Sequence, residues 1–175
     1  GLTHFHLLPA NDIASIQEDN SQRVDVTDTV AKLCQLNNTA PVCGVENNQT
    51  TLLQVLESYD PSTTDAQALV ESMRAFDGFN WGYDPQHFAA PEGSYATDAD
   101  GVSRILEMRA MNQSLHQIGL RVILDVVYNH AASSGLYDNS VLDKVVPGYY
   151  HRLNETSGQI ENSTCCENTA TEHKM

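Results

Sequence analysis

Residues 120–128, LRVILDVVY, decide the fold class. Only Arg121 and Asp125 interrupt a run of aliphatic, β-branched and aromatic side chains. That is the composition of a parallel strand covered on both faces, not of a surface strand with a period of two. Just before it, Val102, Ile105, Met108, Met111 (or Asn112), Leu115 and Ile118 recur every three or four positions, and Gly119 offers a C-terminal stop. The spacing predicts a helix over about 101–118 whose apolar stripe is core packing rather than a cofactor surface. Far upstream, residues 2–8 form a second short apolar run closed by Pro9, whose missing amide would break a ladder. Strand, helix, strand is the skeleton, and it is an α/β one.

The two predicted strands are separated by a stretch of different character. Residues 11–77 are polar, with helical patches near 52–59 and 65–75, where Thr51 with Gln54 and Thr64 with Gln67 have capping-box spacing. An earlier helix is expected near 22–36. So long a segment exceeds an ordinary connection, so residues 10–78 read as an inserted helical subdomain. Residues 79–97, FNWGYDPQHFAAPEGSYAT, are rich in aromatics, Gly and Pro without a helical period, and read as an ordered loop.

Composition narrows the function. The chain has 175 residues, 41% hydrophobic, with 9 Lys and Arg against 23 Asp and Glu, a net charge of −14. Such a chain repels nucleic acid and anionic lipid surfaces, so neither is an expected partner. No apolar run is long enough to span a membrane, and no charged-then-apolar leader is present. Cys34, Cys43, Cys165 and Cys166 allow three pairings, of which the local one, Cys34 with Cys43 and Cys165 with Cys166, is favoured. If both form, the compartment is oxidising. Zinc is disfavoured, because Cys165, Cys166 and His173 lack paired C-x-x-C spacing. N-x-S/T sequons begin at Asn37, Asn48, Asn112, Asn154 and Asn162, and carry little weight by themselves.

Asp125, Asn129 and His130 lie at or beside the carboxyl end of the predicted strand 120–128, the end where parallel barrels hold their sites. Asp125 and Asn129 share strand parity, whereas His130 must lie past a bend to join them. Taken alone, Asp125 reads equally as a cap of backbone amides and His130 as a satisfied loop histidine.

Residues 125–130, DVVYNH, resemble the first sequence signature of the alpha-amylase superfamily, and residues 80–85, NWGYDP, resemble the motif that marks pullulanases within it. Residues 93–98, 140–147 and 1–9 add further matches, so that nearly the whole chain is similar to the pullulanase and limit dextrinase group. The resemblance implies part of a (β/α)8 TIM barrel, from about its second strand to the loop after its third, with residues 1–175 inside the catalytic domain. It implies cleavage of α-1,6 glucosidic bonds in pullulan, branched starch or limit dextrins with retention of configuration. Tyr83 matches the residue that stacks on glucose beside the scissile bond and His130 the one that hydrogen-bonds its 6-hydroxyl, while Asp125 and Asn129 match supporting positions. Trp81 reads as packing. No catalytic carboxylate is assigned within the chain. Retaining glycosidases need two carboxyl groups roughly 5 Å apart, and the Gly-Phe-Arg-Phe-Asp segment holding the family's nucleophile is expected after residue 175. The isolated chain is expected to be inactive and, with an exposed strand edge, to self-associate. The resemblance implies an α-glucan as the partner, and the expected setting is extracellular or at the cell surface. No cofactor is required, calcium is compatible with the family, and its ligands are unassigned.

Two other classes stay in view. A non-catalytic carbohydrate-binding module would use Trp81, Tyr83 and Tyr95 as its platform. A metal-dependent hydrolase would use His4 and His6, two apart on a strand and so on one side of it.

Overall fold

The computed structural model describes residues 1–163 and 165–174. Thr164, which completes the sequon at Asn162, and Met175 lie outside them. The chain divides into two compact units, Ile16–Phe79 and a second made of Gly1–Ser15 with the residues from Asn80 onward.

The unit Ile16–Phe79 is helical. Helices α1 (Val30–Leu36), α2 (Leu52–Ser58) and α3 (Asp65–Met73) enclose a core that includes Val24, Leu33, Val42, Val55, Leu69 and Met73. Short helices such as these are marginal alone, and burial of one face holds them. The Thr51–Gln54 capping box on α2 forms in both directions: Gln54 N–H donates to Thr51 Oγ1 at 3.2 Å, and Thr51 N–H to Gln54 Oε1 at 3.1 Å. The second expected box does not form. Thr64 has ψ of 12° rather than the extended backbone that turns a cap toward the helix, and its side chain makes no capping bond. The helix expected over 22–36 starts only at Val30. Asp25 and Asp28 take up backbone amides before it, Asp25 accepting from Thr27 and Asp28 from Asp25, so local side-chain bonds outcompete the helix.

Two covalent or backbone clasps tighten this unit. Cys34 and Cys43 are disulfide-bonded and pack on the core. Near the unit's ends, Val24 pairs with Asp77 in a parallel bridge, with Val24 N–H donating to the Phe76 carbonyl at 2.7 Å and Gly78 N–H to the Val24 carbonyl at 3.1 Å.

The other unit is built on a parallel pair, β1 (His4–Leu7) with β4 (Arg121–Leu124), in register from His4 opposite Arg121 to Leu7 opposite Leu124. Helix α4 (Ser103–Gln117) precedes β4 and lies against it. It ends at Gly119, which takes φ +86°, with Leu120 N–H returning to the Leu115 carbonyl. The expected burial on both faces is not found. None of the α4 residues is buried, and Val102, Ile105, Ile118, Phe5, Ile123 and Leu124 are exposed, whereas Met108, Met111 and Leu115 are half-buried. An apolar pattern specifies that a face wants cover, and these apolar side chains remain exposed.

Among the described residues three two-stranded sheets are formed and no closed barrel exists. The stretch 79–97 is more structured than a loop. It contains β3 (Pro85–Pro91), antiparallel to β2 (Asn11–Ile13) with register shifts that hide the period of two from a sequence reading. Buried Glu92 closes the pair, accepting from Ile13 N–H at 2.6 Å and Ser94 N–H at 2.8 Å. Beyond β4, β5 (His130–Ala131) pairs antiparallel with β6 (Glu167–Asn168), and a short helix α5 (Leu142–Val145) lies between them in sequence.

One glycine fixes how the strand ends meet the aromatic segment. Gly82 has φ +83°, and a Cβ there would sit 2.2 Å from the Pro9 carbonyl oxygen. Backbone packs on backbone, and no side chain fits.

Gly82→Ala is expected to lower stability by at least ~2 kcal/mol, through the left-handed backbone and the clash with Pro9 together, read from denaturant unfolding. In the helical unit, Leu33→Ala removes a fully buried side chain. A loss of about 2 to 5 kcal/mol is expected in the same measurement.

Candidate functional site

The site grows from residues 80–85. Asn80 braces the turn from both ends of its amide, with Oδ1 accepting from Gly82 N–H at 2.6 Å and Nδ2 donating to Ser15 Oγ at 2.5 Å. Asp84 holds the same neighbour, its carboxylate accepting from Ser15 N–H at 3.0 Å and its carbonyl from Ala14 N–H at 2.9 Å. Pro85 then enters β3. With Asn80 and Asp84 bonded and Gly82 pressed on Pro9, the residue between them has little freedom. That residue is Tyr83.

Tyr83 joins two other polar groups. Its hydroxyl donates to Asp125 Oδ2 at 2.6 Å, and its backbone carbonyl lies 2.7 Å from His130 Nε2. A carbonyl only accepts, so Nε2 carries the imidazole hydrogen. Nδ1 is then the free lone pair, and it is buried without a partner. Asp125 follows the last residue of β4, and His130 opens β5, so both stand just past the carboxyl end of the parallel strand. The phenol of Tyr83 is held above its ordinary pKa, first because it donates to Asp125, then through partial desolvation and the repulsion of a phenolate by that carboxylate.

Of the four residues read as sugar-binding, the structure brings Tyr83, Asp125 and His130 together. Asn129 is exposed and is tied through its backbone, its carbonyl accepting from Thr169 N–H at 3.1 Å. Tyr83 keeps 37% of its surface exposed, whereas His130 is only 8% exposed. Trp81 is not packing, as expected above, but 63% exposed. It lines a cavity of about 330 Å³ together with Leu8, Pro91, Tyr95, Glu107 and Met111. Tyr83 is not among the residues lining that cavity. His4 and His6 are both exposed on β1. No cluster of three metal-binding side chains among the described residues includes either.

The sequence reading missed what surrounds His130. Cys165 and Cys166 are disulfide-bonded to each other, and Cys165 Sγ lies 3.8 Å from His130 Nε2. His173, weighed above as their neighbour, instead stacks on Tyr149 with ring centroids 4.7 Å apart. The β5–β6 pairing, with His130 opposite Asn168, brings residues 165–166 to the histidine. Strands of two residues leave no periodic signal from which it could have been read.

Residues 13–79 match the family model described as the Pullulanase Ins domain. Pullulanase from Klebsiella pneumoniae is 42% identical over 184 residues, a match that spans 100% of this chain and 17% of that protein. Pullulanase 1, chloroplastic, from Arabidopsis thaliana is 43% identical over 176 residues, spanning 100% of this chain and 16% of the relative. Among solved structures, Klebsiella pneumoniae pullulanase complexed with maltotriose is similar with a TM-score of 0.86 and 42% identity, over 99% of this chain and 17% of that one. The chain thus spans about a sixth of the length of the curated relatives it matches. With identity above 40% along its entire length, and with the family model falling on its helical unit, the chain belongs to the pullulanase group.

Proposed function

We propose that these residues form part of a debranching glycoside hydrolase that cleaves α-1,6 glucosidic bonds in pullulan, branched starch or limit dextrins with retention of configuration. The observation that carries the reading is the convergence of Tyr83, Asp125 and His130 just past a parallel strand pair. A glucose ring has an apolar face and a rim of hydroxyls, so its recognition calls for an aromatic surface beside fixed polar groups. Tyr83 offers that surface, anchored by its hydroxyl to Asp125. His130 Nδ1, the unpartnered nitrogen, is the acceptor that a glucose 6-hydroxyl would satisfy, which requires the cover over the ring to part on binding. Asn129 supports the pocket from the same loop. The nucleophile and acid are assigned to residues outside these 175.

In this reading β1 and β4 are the second and third strands of a (β/α)8 barrel with α4 as the connecting helix. The parallel register and the site at the strands' carboxyl end support it. Residues 10–78 are an insertion, for which the bridge between Val24 and Asp77 speaks, since ends that meet can be inserted at low cost to a host. The disulfides favour an extracellular or cell-surface setting. Calcium is proposed for the whole protein with its ligands unassigned, and loss of thermal stability on chelation would reveal it. Cover for the exposed apolar surface of α4 and β4 is assigned to the remainder of the barrel, and in its absence to self-association.

The test is hydrolysis of pullulan by the whole protein and by this chain alone. Release of maltotriose by the whole protein only is expected. Intact pullulan would overturn the reading, and tight maltotriose binding by the chain alone would instead favour a binding module. Within the whole protein, Tyr83→Phe keeps the ring and loses the bond to Asp125, so kcat/KM is expected to fall roughly tenfold, with Tyr83→Ala falling further.

A further inference from the structure

The geometry points to a redox-gated site for a soft divalent cation formed by His130, Cys165 and Cys166. One ligand atom from each of the three lies within 4.8 Å of the other two. With Zn–S of about 2.3 Å and Zn–N of about 2.0 to 2.1 Å, a tetrahedral zinc sets its sulfur and nitrogen ligands roughly 3.6 Å apart. Cys165 Sγ and His130 Nε2 are 3.8 Å apart already. The imidazole is buried, and the nitrogen it turns to the sulfur is Nε2, which also faces the Tyr83 carbonyl at 2.7 Å. Cys165 is exposed and open to a reductant.

Gating follows from the chemistry of sulfur. Joined in a disulfide, the two sulfurs carry no thiolate charge and are poor ligands. A dithiol or a trialkylphosphine opens the bond. The dithiol is oxidised to its own disulfide, or the phosphine to its oxide with oxygen from water, and Cys165 and Cys166 gain two electrons and two protons as thiols. Binding of Zn²⁺ then expels the two thiol protons as both thiolates coordinate. For His130 to bind through Nε2, its hydrogen must move to Nδ1, and the bond to the Tyr83 carbonyl is given up. The cation and the Tyr83 carbonyl therefore compete for one nitrogen. Cys34 and Cys43 are bonded to each other and are not members of this cluster.

Zinc capture needs no sugar, so it is measured apart from hydrolysis. The probe is Zn²⁺ alone, added to the whole protein before and after phosphine reduction, with bound metal counted after gel filtration. Co²⁺ in a parallel sample reports thiolate coordination by its charge-transfer absorption. The expected result is about one equivalent bound by the reduced protein and none by the oxidised. Cys34→Ser with Cys43→Ser should retain that metal, and Cys165→Ser with Cys166→Ser should lose it. His130→Gln should weaken it by roughly tenfold or more. Equal zinc uptake by oxidised and reduced wild-type protein, which needs no variant to fold, would overturn the proposal. So would retention of the metal when Cys165 and Cys166 are both serine.

Discussion

The carbonyl oxygen of Pro9 occupies the place where a side chain at position 82 would begin, 2.2 Å from that Cβ. This one close approach sets the position of everything that follows it. With Gly82 against Pro9, and with Asn80 and Asp84 both bonded to Ser15, the backbone leaves Tyr83 pointing at Asp125 and its carbonyl at His130. Three residues from two segments distant in sequence thereby meet. None of the contacts is strong in isolation, and their value lies in being made together.

The helical residues obey a different constraint. Ile16–Phe79 has its own apolar core, a disulfide between Cys34 and Cys43 and a backbone bridge near its two ends. Such a unit is self-sufficient in packing, whereas the residues around it are not. There, β1, β4 and α4 present aliphatic side chains to solvent. The chain spans about a sixth of the length of its relatives.

How much was legible in the sequence varies with the range of the signal. Local signals read well. The apolar run at 120–128 gave a strand, although only Arg121–Leu124 form it, the three-to-four spacing before it gave a helix within two residues of each bound, and Thr51 with Gln54 gave a capping box. Competition between local signals read less well, as where Asp25 and Asp28 kept residues 22–29 from becoming helix. Beyond the parallel pairing of β1 with β4, long-range pairing was not legible. Strand β3 was hidden by its register shifts, and the approach of Cys165 to His130 depends on strands two residues long. At the site, the residue types of Tyr83, Asp125 and His130 were recognisable from their motifs. That one tyrosine serves the other two, through its hydroxyl and its carbonyl, is a fact of geometry that no spacing conveys.

The central claim is that Gly82 seats Tyr83 on Asp125, and the phenol of Tyr83 reports this directly. With tyrosine labelled at the ring carbon bearing oxygen, its titration can be followed by NMR. The account predicts that Tyr83 titrates above the ordinary tyrosine value, because its neutral form donates to a carboxylate, and that it moves back down in both Asp125→Asn and Gly82→Ala. A Tyr83 that titrates at the ordinary value in the native protein, or that is unmoved by both substitutions, would contradict it.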